Sequence, residues 1–259
     1  MPDDLMARST ALVTGGSKRI GRAICLHLAK MGHSVAVHHN SSSAAADALV
    51  DLIQSNGGTA YSIQADLSKA SEVSSLIPRV CDELGPVSCI VNNASIFHFD
   101  DIESFNKESW DLHMDVNARA PMLLIQALLA QLPEGKQASV VNILDQKIAQ
   151  PNSDYLSYTV SKYALAGLTE TLARSLSPRV RVNAVAPGHT LASSEQTQEG
   201  FERAQMESPL GYGPSPDDIA NAVVYLTGAR AVTGQILFVD SGERFLARSR
   251  DVFFETEGV

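Results

Sequence analysis

The stretch Thr14-Gly15-Gly16-Ser17-Lys18-Arg19-Ile20-Gly21 lies between a short apolar run at residues 11–13 and a segment of helical periodicity at residues 20–31. Glycines let a backbone turn sharply and approach a ligand closely. The start of a helix then offers free N–H groups and the positive end of the helix dipole. A strand, a glycine-rich turn and a helix in this order predict a phosphate-binding loop in a βαβ unit.

The same alternation continues along the chain. Apolar runs rich in Val and Ile predict strands at residues 11–13, 34–38, 60–64, 88–91, 139–143, 181–185 and 235–239. Helical periodicity predicts helices at residues 20–31, 44–54, 70–84, 110–131, 157–175 and 216–227. Strands that are apolar on both faces and separated by helices indicate a parallel sheet covered on both sides. We therefore expect one α/β domain over residues 1–259, a doubly wound Rossmann-type fold with a mostly parallel sheet of about seven strands.

Composition narrows the function classes. The chain has 259 residues, of which 44% are hydrophobic and 19% charged, so a largely disordered protein is excluded. Its formal net charge is −9 and it has no dense basic block, which argues against nucleic-acid or anionic-membrane binding. The 3 cysteines form no metal-ligand pattern, so no metal is expected. No signal-peptide or membrane-span pattern is visible, and we expect a cytoplasmic location.

The segment after the second predicted strand concerns the choice of a dinucleotide. An acidic residue at this place usually binds the adenosine ribose hydroxyls of NAD. The sequence Val37-His38-His39-Asn40-Ser41-Ser42 contains none. A 2′-phosphate would meet polar and basic groups from this segment and from the first turn, namely His39, Asn40, Ser41, Lys18 and Arg19. The segment therefore favours NADP(H) over NAD(H).

Tyr158 and Lys162 are four residues apart in a predicted helix, so both side chains lie on one face. A tyrosine normally titrates near pH 10. A nearby ammonium and a positively charged nicotinamide ring would favour the phenolate and lower the pKa of Tyr158. The pair predicts acid–base chemistry, although a Tyr-x-x-x-Lys spacing alone also occurs by chance in helices.

Two further residues are candidates for the same chemistry. Pro121 has no N–H, so the carbonyl of Asn117 loses its helical partner and the helix should kink there. That carbonyl could hold a water, or the kink could serve packing alone. Asp145 follows the strand predicted at residues 139–143, and a buried aspartic acid can supply a proton. Asp145 could also be a turn cap, or mark a site that has lost its activity.

Together these motifs resemble the short-chain dehydrogenase/reductase family. Asp66-Leu67 is similar to the pair that borders the adenine, Asn92-Asn93-Ala94 to the Asn-Asn-Ala-Gly motif, and Pro187-Gly188 with Thr190 to the segment that holds the nicotinamide carboxamide. The resemblance implies that Tyr158 is the main acid, that Lys162 holds the ribose, and that the Asn117 carbonyl anchors a water leading to Lys162. The implied catalytic set is Asn117, Asp145, Tyr158 and Lys162. The implied cofactor-binding set is Thr14, Gly15, Ser17, Lys18, Arg19, Ile20, Gly21, His39, Asn40, Ser41, Asp66, Leu67, Asn93, Ala94, Ser95, Tyr158, Lys162, Pro187, Gly188 and Thr190.

Three departures narrow the resemblance to the pteridine reductase branch, over residues 10–245. They are Arg19 in place of a small residue, the segment from Asn93 to Phe97, and Asp145 in place of the usual serine. The branch implies that Phe97 stacks on a pterin and that Arg19 serves the cofactor phosphate and faces the substrate. A flat, polar heteroaromatic suits one aromatic face and a few polar groups. The implied substrate-binding set is Arg19, Phe97, Asp145 and Tyr158.

Two alternatives stay open at this stage. One is a conventional carbonyl or hydroxyl oxidoreductase such as a 3-oxoacyl reductase, against which Asp145 and Phe97 argue. The other is a non-catalytic nucleotide-binding sensor, against which the intact set of Asn117, Tyr158 and Lys162 argues.

Residues 190–214 are expected to form a substrate lid. The apolar tail at residues 243–259 is expected to pack on a neighbouring subunit, or else to be partly disordered, and the family resemblance implies a homo-oligomer, commonly a tetramer.

Overall fold

A seven-stranded parallel sheet forms the centre of the computed structural model, which describes residues 9–193 and 196–257. Its strands are β1 (Thr10–Val13), β2 (Ser34–His39), β3 (Thr59–Gln64), β4 (Val87–Asn92), β5 (Ala138–Ile143), β6 (Val180–Pro187) and β7 (Ile236–Val239). Their order in the sheet is β3-β2-β1-β4-β5-β6-β7. The winding reverses between β1 and β4, and ligands of such sheets bind at the carboxyl ends of the strands near this reversal.

Helices cover both faces of the sheet. They are α1 (Arg19–Lys30), α2 (Ser43–Ser55), α3 (Ala70–Leu84), α4 (Lys107–Met114), α5 (Ala120–Gln131), α6 (Leu156–Leu176), α7 (Gln198–Met206), α8 (Pro216–Gly228) and α9 (Val252–Glu257). Apolar side chains of α1, α2 and α8 form one core with the sheet, and those of α3, α5 and α6 form the core on the other face. The predicted doubly wound fold is thereby confirmed, because the strands bury apolar residues on both sides.

The helix predicted at residues 110–131 is interrupted. A π-helical turn, Asp115–Arg119, separates α4 from α5, and Pro121 lies in the first turn of α5. Since Pro121 has no N–H to donate to the Asn117 carbonyl, the regular ladder cannot continue through this point. The interruption therefore falls where the proline predicted a kink, and it turns the buried Asn117 side chain into the interior.

The two segments that the sequence left without regular structure each contain a short helix. In the predicted lid, α7 covers Gln198–Met206, while residues 194 and 195 of the lid lie outside the described residues. In the tail, α9 packs against α7. Within the described part, the tail makes ion pairs and aromatic contacts with its own chain, and its packing on a neighbouring subunit stays a prediction. None of the helices in residues 9–193 and 196–257 has the length and apolarity that a membrane span requires.

Candidate active site

A cavity of about 770 Å³ opens at the carboxyl ends of the strands. Its volume is in the range of small-molecule and cofactor sites. The loops after β1 to β6 bring together most of the predicted site residues, and those that line it are Gly15, Lys18, Arg19, Ile20, Gly21, Asn40, Asp66, Leu67, Asn93, Ala94, Ser95, Phe97, Asp145, Tyr158, Lys162, Pro187, Gly188 and Thr190. Thr14, Ser17, His39, Ser41 and Asn117 lie behind or beside this surface.

The glycine-rich turn is held by the segment after β4. The Asn93 side-chain amide donates to the carbonyl oxygens of Thr14 and Gly15, at 2.9 and 3.1 Å. The Thr14 hydroxyl in turn accepts the backbone N–H groups of Asn93 and Ala94, both at 3.0 Å. Gly15 has φ +61°, and a Cβ on Gly21 would lie 2.2 Å from the Gly15 carbonyl oxygen. Both positions therefore require glycine, and Thr14 and Asn93 fix the shape of the loop.

The beginning of α1 has the features of an anion site. Lys18 is the N-cap residue and its side chain makes no cap hydrogen bond, and no acidic residue occupies the first turn. The first N–H groups of the helix are therefore open to an anionic group such as a dinucleotide pyrophosphate. The Arg19 guanidinium donates to the carbonyl oxygens of Leu191 and Ala192, at 3.3 and 3.0 Å, so it ties this turn to the start of the lid.

The end of β2 carries two histidines, one with both ring nitrogens hydrogen-bonded and one whose Nδ1 has no partner. The Gly15 N–H donates to His38 Nδ1, and His38 Nε2 lies 3.0 Å from the Ala65 carbonyl oxygen, so Nε2 carries the proton. Burial lowers the pKa of His38 to about 4, which keeps it neutral in this role. Next to it, His39 Nδ1 is buried without a hydrogen-bond partner in the structure, and Asn40 lines the cavity. An unpaired polar atom and an amide at this position fit the phosphate-bearing ribose of a dinucleotide.

The Tyr158 hydroxyl donates a hydrogen bond of 2.7 Å to Asp145 Oδ2. The other oxygen of Asp145 accepts the Lys147 N–H at 2.8 Å and caps the short 3-10 turn Gln146–Ile148. Asp145 is thus both a turn cap and a direct partner of the tyrosine. One carboxylate serves both because each of its oxygens accepts separately.

The structure corrects the expected effect of Lys162 on Tyr158. Burial, followed by the charge and the hydrogen bond of Asp145, raises the pKa of Tyr158 well above its usual range. The Lys162 ammonium donates to the Ile143 carbonyl oxygen at 2.9 Å and lies 5.4 Å from the centre of the Tyr158 ring. Burial lowers the pKa of Lys162 itself to about 8. In this arrangement Tyr158 keeps its proton and is a donor rather than a phenolate.

Asn117 connects the loop after β4 to α6. Its Oδ1 accepts the Ile96 N–H at 2.8 Å, and its Nδ2 donates to the Ile96 carbonyl and to the Ser161 hydroxyl, at 3.0 and 2.9 Å. The side chain is therefore fully engaged and fixes Phe97, which follows Ile96, relative to the helix that carries Tyr158. The role of its backbone carbonyl in holding a water remains a prediction.

Aromatic rings form one wall of the cavity beside Tyr158. The Phe97 side chain is 42% exposed. It stacks on Tyr155 with ring centres 4.1 Å apart and 14° between the planes, and it meets Tyr158 edge-on at 4.6 Å. Tyr155 has φ 55° directly before α6, an unusual conformation for a large side chain that places its ring under Phe97. Sequence reasoning missed Tyr155, since no local pattern distinguishes it from the other tyrosines.

A buried carboxyl group lies behind the Pro187-Gly188 segment. Glu243 Oε2 accepts the His189 N–H at 2.7 Å, and burial raises the pKa of Glu243 to about 7. A Cβ on Gly188 would lie 2.8 Å from that same oxygen, so glycine is required there. Glu243 was not predicted as a site residue, and nothing in its local sequence indicates that it returns to the cavity. Within the described residues, no group of three His, Cys, Asp or Glu side chains is arranged to hold a metal.

Comparison with known proteins agrees with this geometry. The sequence model of the short chain dehydrogenase family matches residues 9–202. The chain belongs to the short-chain dehydrogenase family. Among solved structures, the complex of FolM alternative dihydrofolate reductase 1 from Brucella canis with NADP is 39% identical, with a TM-score of 0.88 and coverage of 93% of this chain and 96% of that one. The family uses a nicotinamide cofactor, in agreement with the sequence prediction.

Two relatives differ in how closely their activity is defined. An uncharacterised oxidoreductase of Methylorubrum extorquens is 37% identical over 245 residues, which cover 90% of this chain and 97% of the relative. The 3-oxoacyl-[acyl-carrier-protein] reductase of Staphylococcus epidermidis is 34% identical over 238 residues, covering 90% and 98%. The chain is therefore an oxidoreductase of this family, and its substrate has to be argued from the site.

Proposed function

We propose that the chain is an NADPH-dependent reductase that reduces a C=N bond of a pterin-type substrate. The observation that carries the proposal is the hydrogen bond from Tyr158 to Asp145 next to the exposed ring of Phe97. Two potential acids and a flat aromatic surface occur together in one cavity. A pterin offers a planar ring for stacking and ring nitrogens that accept protons.

The residues divide the chemistry as follows. The cofactor, when bound, supplies the hydride to the ring carbon. Tyr158 exchanges its hydrogen bond with Asp145 for one to the substrate nitrogen and donates its proton there. The buried ammonium of Lys162 lies close enough to offset the charge that then develops on the phenol oxygen. Asp145, the hydrogen-bond partner of Tyr158, is the proposed second proton donor to the substrate.

Preference for NADPH is part of the proposal. The segment after β2 has no acid that would repel a 2′-phosphate, and Asn40 there lines the cavity. The NADP complex of the Brucella canis protein, at 39% identity, supports the same choice.

The second candidate is a 3-oxoacyl reductase, favoured by the likeness to the Staphylococcus epidermidis enzyme. A carbonyl oxygen would also accept the Tyr158 proton. Asp145 favours the pterin substrate. The resemblance implies a serine at this position, which can hydrogen-bond to a carbonyl oxygen, whereas an aspartic acid can also supply a proton to a ring nitrogen.

The deciding experiment follows NADPH and NADH oxidation with dihydrobiopterin, dihydrofolate, a 3-oxoacyl thioester and a set of small ketones. We expect turnover of a dihydropterin with NADPH, at a kcat/KM above that of any carbonyl compound. Tyr158→Phe is the control for catalysis at this site. Faster reduction of the thioester would favour the second candidate, and tight NADPH binding without turnover of any compound would favour a sensor.

We also propose a cytoplasmic homo-oligomer, a tetramer by family resemblance. Mass measurement in solution by light scattering tests the assembly, and fractionation of cells tests the location. A monomer at assay concentration would remove the tetramer from the proposal without affecting the chemistry.

A further inference from the structure

The C-terminal segment of residues 246–257 touches both the lid and the catalytic loop of its own chain. Arg248 pairs with Glu207 at the end of α7 and with Glu255 of α9, at 2.9 and 2.6 Å. Arg250 pairs with the buried Asp154 at 2.9 Å. Between these anchors, the segment lines the cavity with three residues, which are Asp251, Val252 and Phe253.

The contact nearest to the chemistry is an ion pair between Lys147 and Asp251. Lys147 Nζ lies 2.9 Å from Asp251 Oδ2, and the two side chains are only 6% and 14% exposed. The same ammonium donates to the Asp154 carbonyl oxygen at 2.8 Å and lies 5.2 Å from the centre of the Tyr155 ring. A buried ion pair of this kind holds its partners firmly, because loss of either leaves a charge uncompensated in a poorly solvated place.

The ion pair is connected to Tyr158 by way of Asp145, which contacts both Lys147 and Tyr158. The backbone N–H of Lys147 is the group that Asp145 accepts at 2.8 Å, and the other Asp145 oxygen accepts the Tyr158 hydroxyl. The orientation of the Asp145 carboxylate therefore depends on the short turn that Lys147 anchors. Asp251 also acts directly, since its negative charge contributes to raising the pKa of Tyr158.

We propose that Asp251 is a positioning residue for the Tyr158–Asp145 pair, that it acts through Lys147, and that it does so within its own chain. The proposal rests on the proposed role of Tyr158 as proton donor. The C-terminal segment then both lines the active site and positions its proton donors. Other titratable groups that line the cavity include Asp145, Lys147, Tyr155, Tyr158, Lys162, His189 and Glu243.

The first test compares Asp251→Asn, Lys147→Met and the double variant. Asp251→Asn leaves the Lys147 charge unpaired, so we expect kcat to fall roughly tenfold, as for the coupling of contacting residues, with a smaller change in KM. With one negative charge fewer, the pKa of Tyr158 falls, so the alkaline limb of the kcat profile moves to lower pH. The double variant removes both charges and is expected to lose less than Asp251→Asn alone. Asp251→Glu, which keeps the charge, is expected to restore the limb.

The control is Glu170→Gln, which removes an exposed ion pair with Arg174 on α6 far from the cavity, and it should leave kcat and its pH profile unchanged. NADPH binding and the thermal transition verify that each variant is folded. If Asp251→Asn does not fold, Asp251→Glu alone decides, since a displaced carboxylate should still lower kcat. This inference is overturned if the folded Asp251 variant has the kcat and pH profile of the wild type. If Tyr158→Phe is inactive in the same assay, the proposed function stays intact. An active Tyr158→Phe variant would instead overturn the proposed function.

The second test decides whether Asp251 acts in its own chain. Chains carrying Tyr158→Phe are mixed with chains carrying Asp251→Asn and allowed to reassemble. If the segment serves its own site, the mixture has no more activity than its Asp251→Asn chains. A rise towards wild-type activity per intact Tyr158 would mean that the segment of one chain serves another, which contradicts the proposal.

Discussion

Tyr158 and Asp145 share a hydrogen bond of 2.7 Å beside the aromatic wall of the cavity. The bond has a direction, since the phenol donates and the carboxylate accepts. It therefore keeps the tyrosine protonated until another acceptor replaces the carboxylate. A serine at position 145 could also accept from the phenol, but its hydroxyl could not carry a proton of its own to a ring nitrogen near neutral pH.

The first prediction concerns Asp145→Asn. The single amide oxygen can keep the turn cap or the hydrogen bond from Tyr158 but cannot replace both carboxylate oxygens, and the amide cannot supply a proton. We expect the rate of dihydropterin reduction to fall roughly 10²–10⁴-fold, the range for a positioned acid, while NADPH binding is retained. Single-turnover rates with dihydropterin and fluorescence titration with NADPH measure the two effects separately.

Asp145→Ser is the matched variant, because it restores the residue implied by the family resemblance. It should lose pterin reduction as well but keep or gain turnover of simple ketones. Pterin reduction at the wild-type rate in both variants would make Asp145 a structural cap only, and the carbonyl reductase would become the better assignment.

The second prediction concerns the stacking surface. Phe97→Leu removes the flat ring but keeps an apolar side chain of similar size. Aromatic pairs contribute about 0.5–1.5 kcal/mol beyond buried area, so we expect KM for dihydropterin to rise about 2- to 12-fold. Turnover of a small ketone should change little, and Phe97→Tyr should resemble the wild type. Equal effects on pterin and ketone would mean that Phe97 shapes the cavity without stacking on the substrate.

The sheet, the glycine-rich turn and the Tyr158–Lys162 pair could be predicted because each rests on a short periodic pattern. Every predicted strand is present, and its ends differ from the predicted ones by at most two residues. The short helices α7 and α9 were missed because polar, Gly- and Pro-containing segments carry little helical periodicity. Their position depends on contacts between them, such as Thr197 with Glu257, which lie far apart in sequence.

In the site, too, contacts between residues far apart in sequence could not be predicted. Phe97 could be singled out from its motif, but its stacking partner Tyr155 comes from a distant loop. The pKa of Tyr158 was expected to fall because of the nearby Lys162 ammonium and a positively charged nicotinamide ring. It is raised instead, because burial and then the charge and hydrogen bond of Asp145 dominate, while the Lys162 ammonium donates to the Ile143 carbonyl oxygen. The direction of a pKa change depends on the three-dimensional surroundings of the group, which the spacing of residues along the sequence does not reveal.

The third prediction concerns cofactor choice. Asn40→Asp adds a negative charge at the cavity wall with almost no change in shape, so it should weaken NADPH relative to NADH through repulsion of the 2′-phosphate. Ser41→Asp places the charge on an exposed neighbour that does not line the cavity and should have a smaller effect. Titration of each variant with both cofactors gives the ratio of dissociation constants. Equal losses for both cofactors in Asn40→Asp would place the 2′-phosphate elsewhere.

The fourth prediction follows from the burial of His38, whose side chain is 1% exposed. Its pKa is lowered from 6.5 to about 4 in the folded protein. Between these values the unfolded chain binds more protons than the folded one, so the free energy of unfolding rises with pH across this window. The contribution of His38 is complete above pH 6.5 and is lost as the pH falls towards 4, and it amounts to roughly 3 kcal/mol.

Two neutral replacements separate this charge effect from the hydrogen bonds. His38→Gln offers a donor to Ala65, and His38→Asn offers an acceptor to Gly15. Each variant should be less stable than the wild type at pH 7, because one bond is lost. Each should also lose stability less steeply between pH 6.5 and pH 4, because neither side chain titrates. Urea unfolding at several pH values gives the slopes. If both variants lose stability as steeply as the wild type, then carboxylates rather than His38 govern acid unfolding. A shallower slope in both, together with weaker NADPH binding, would tie the neutral His38 to the shape of the glycine-rich turn.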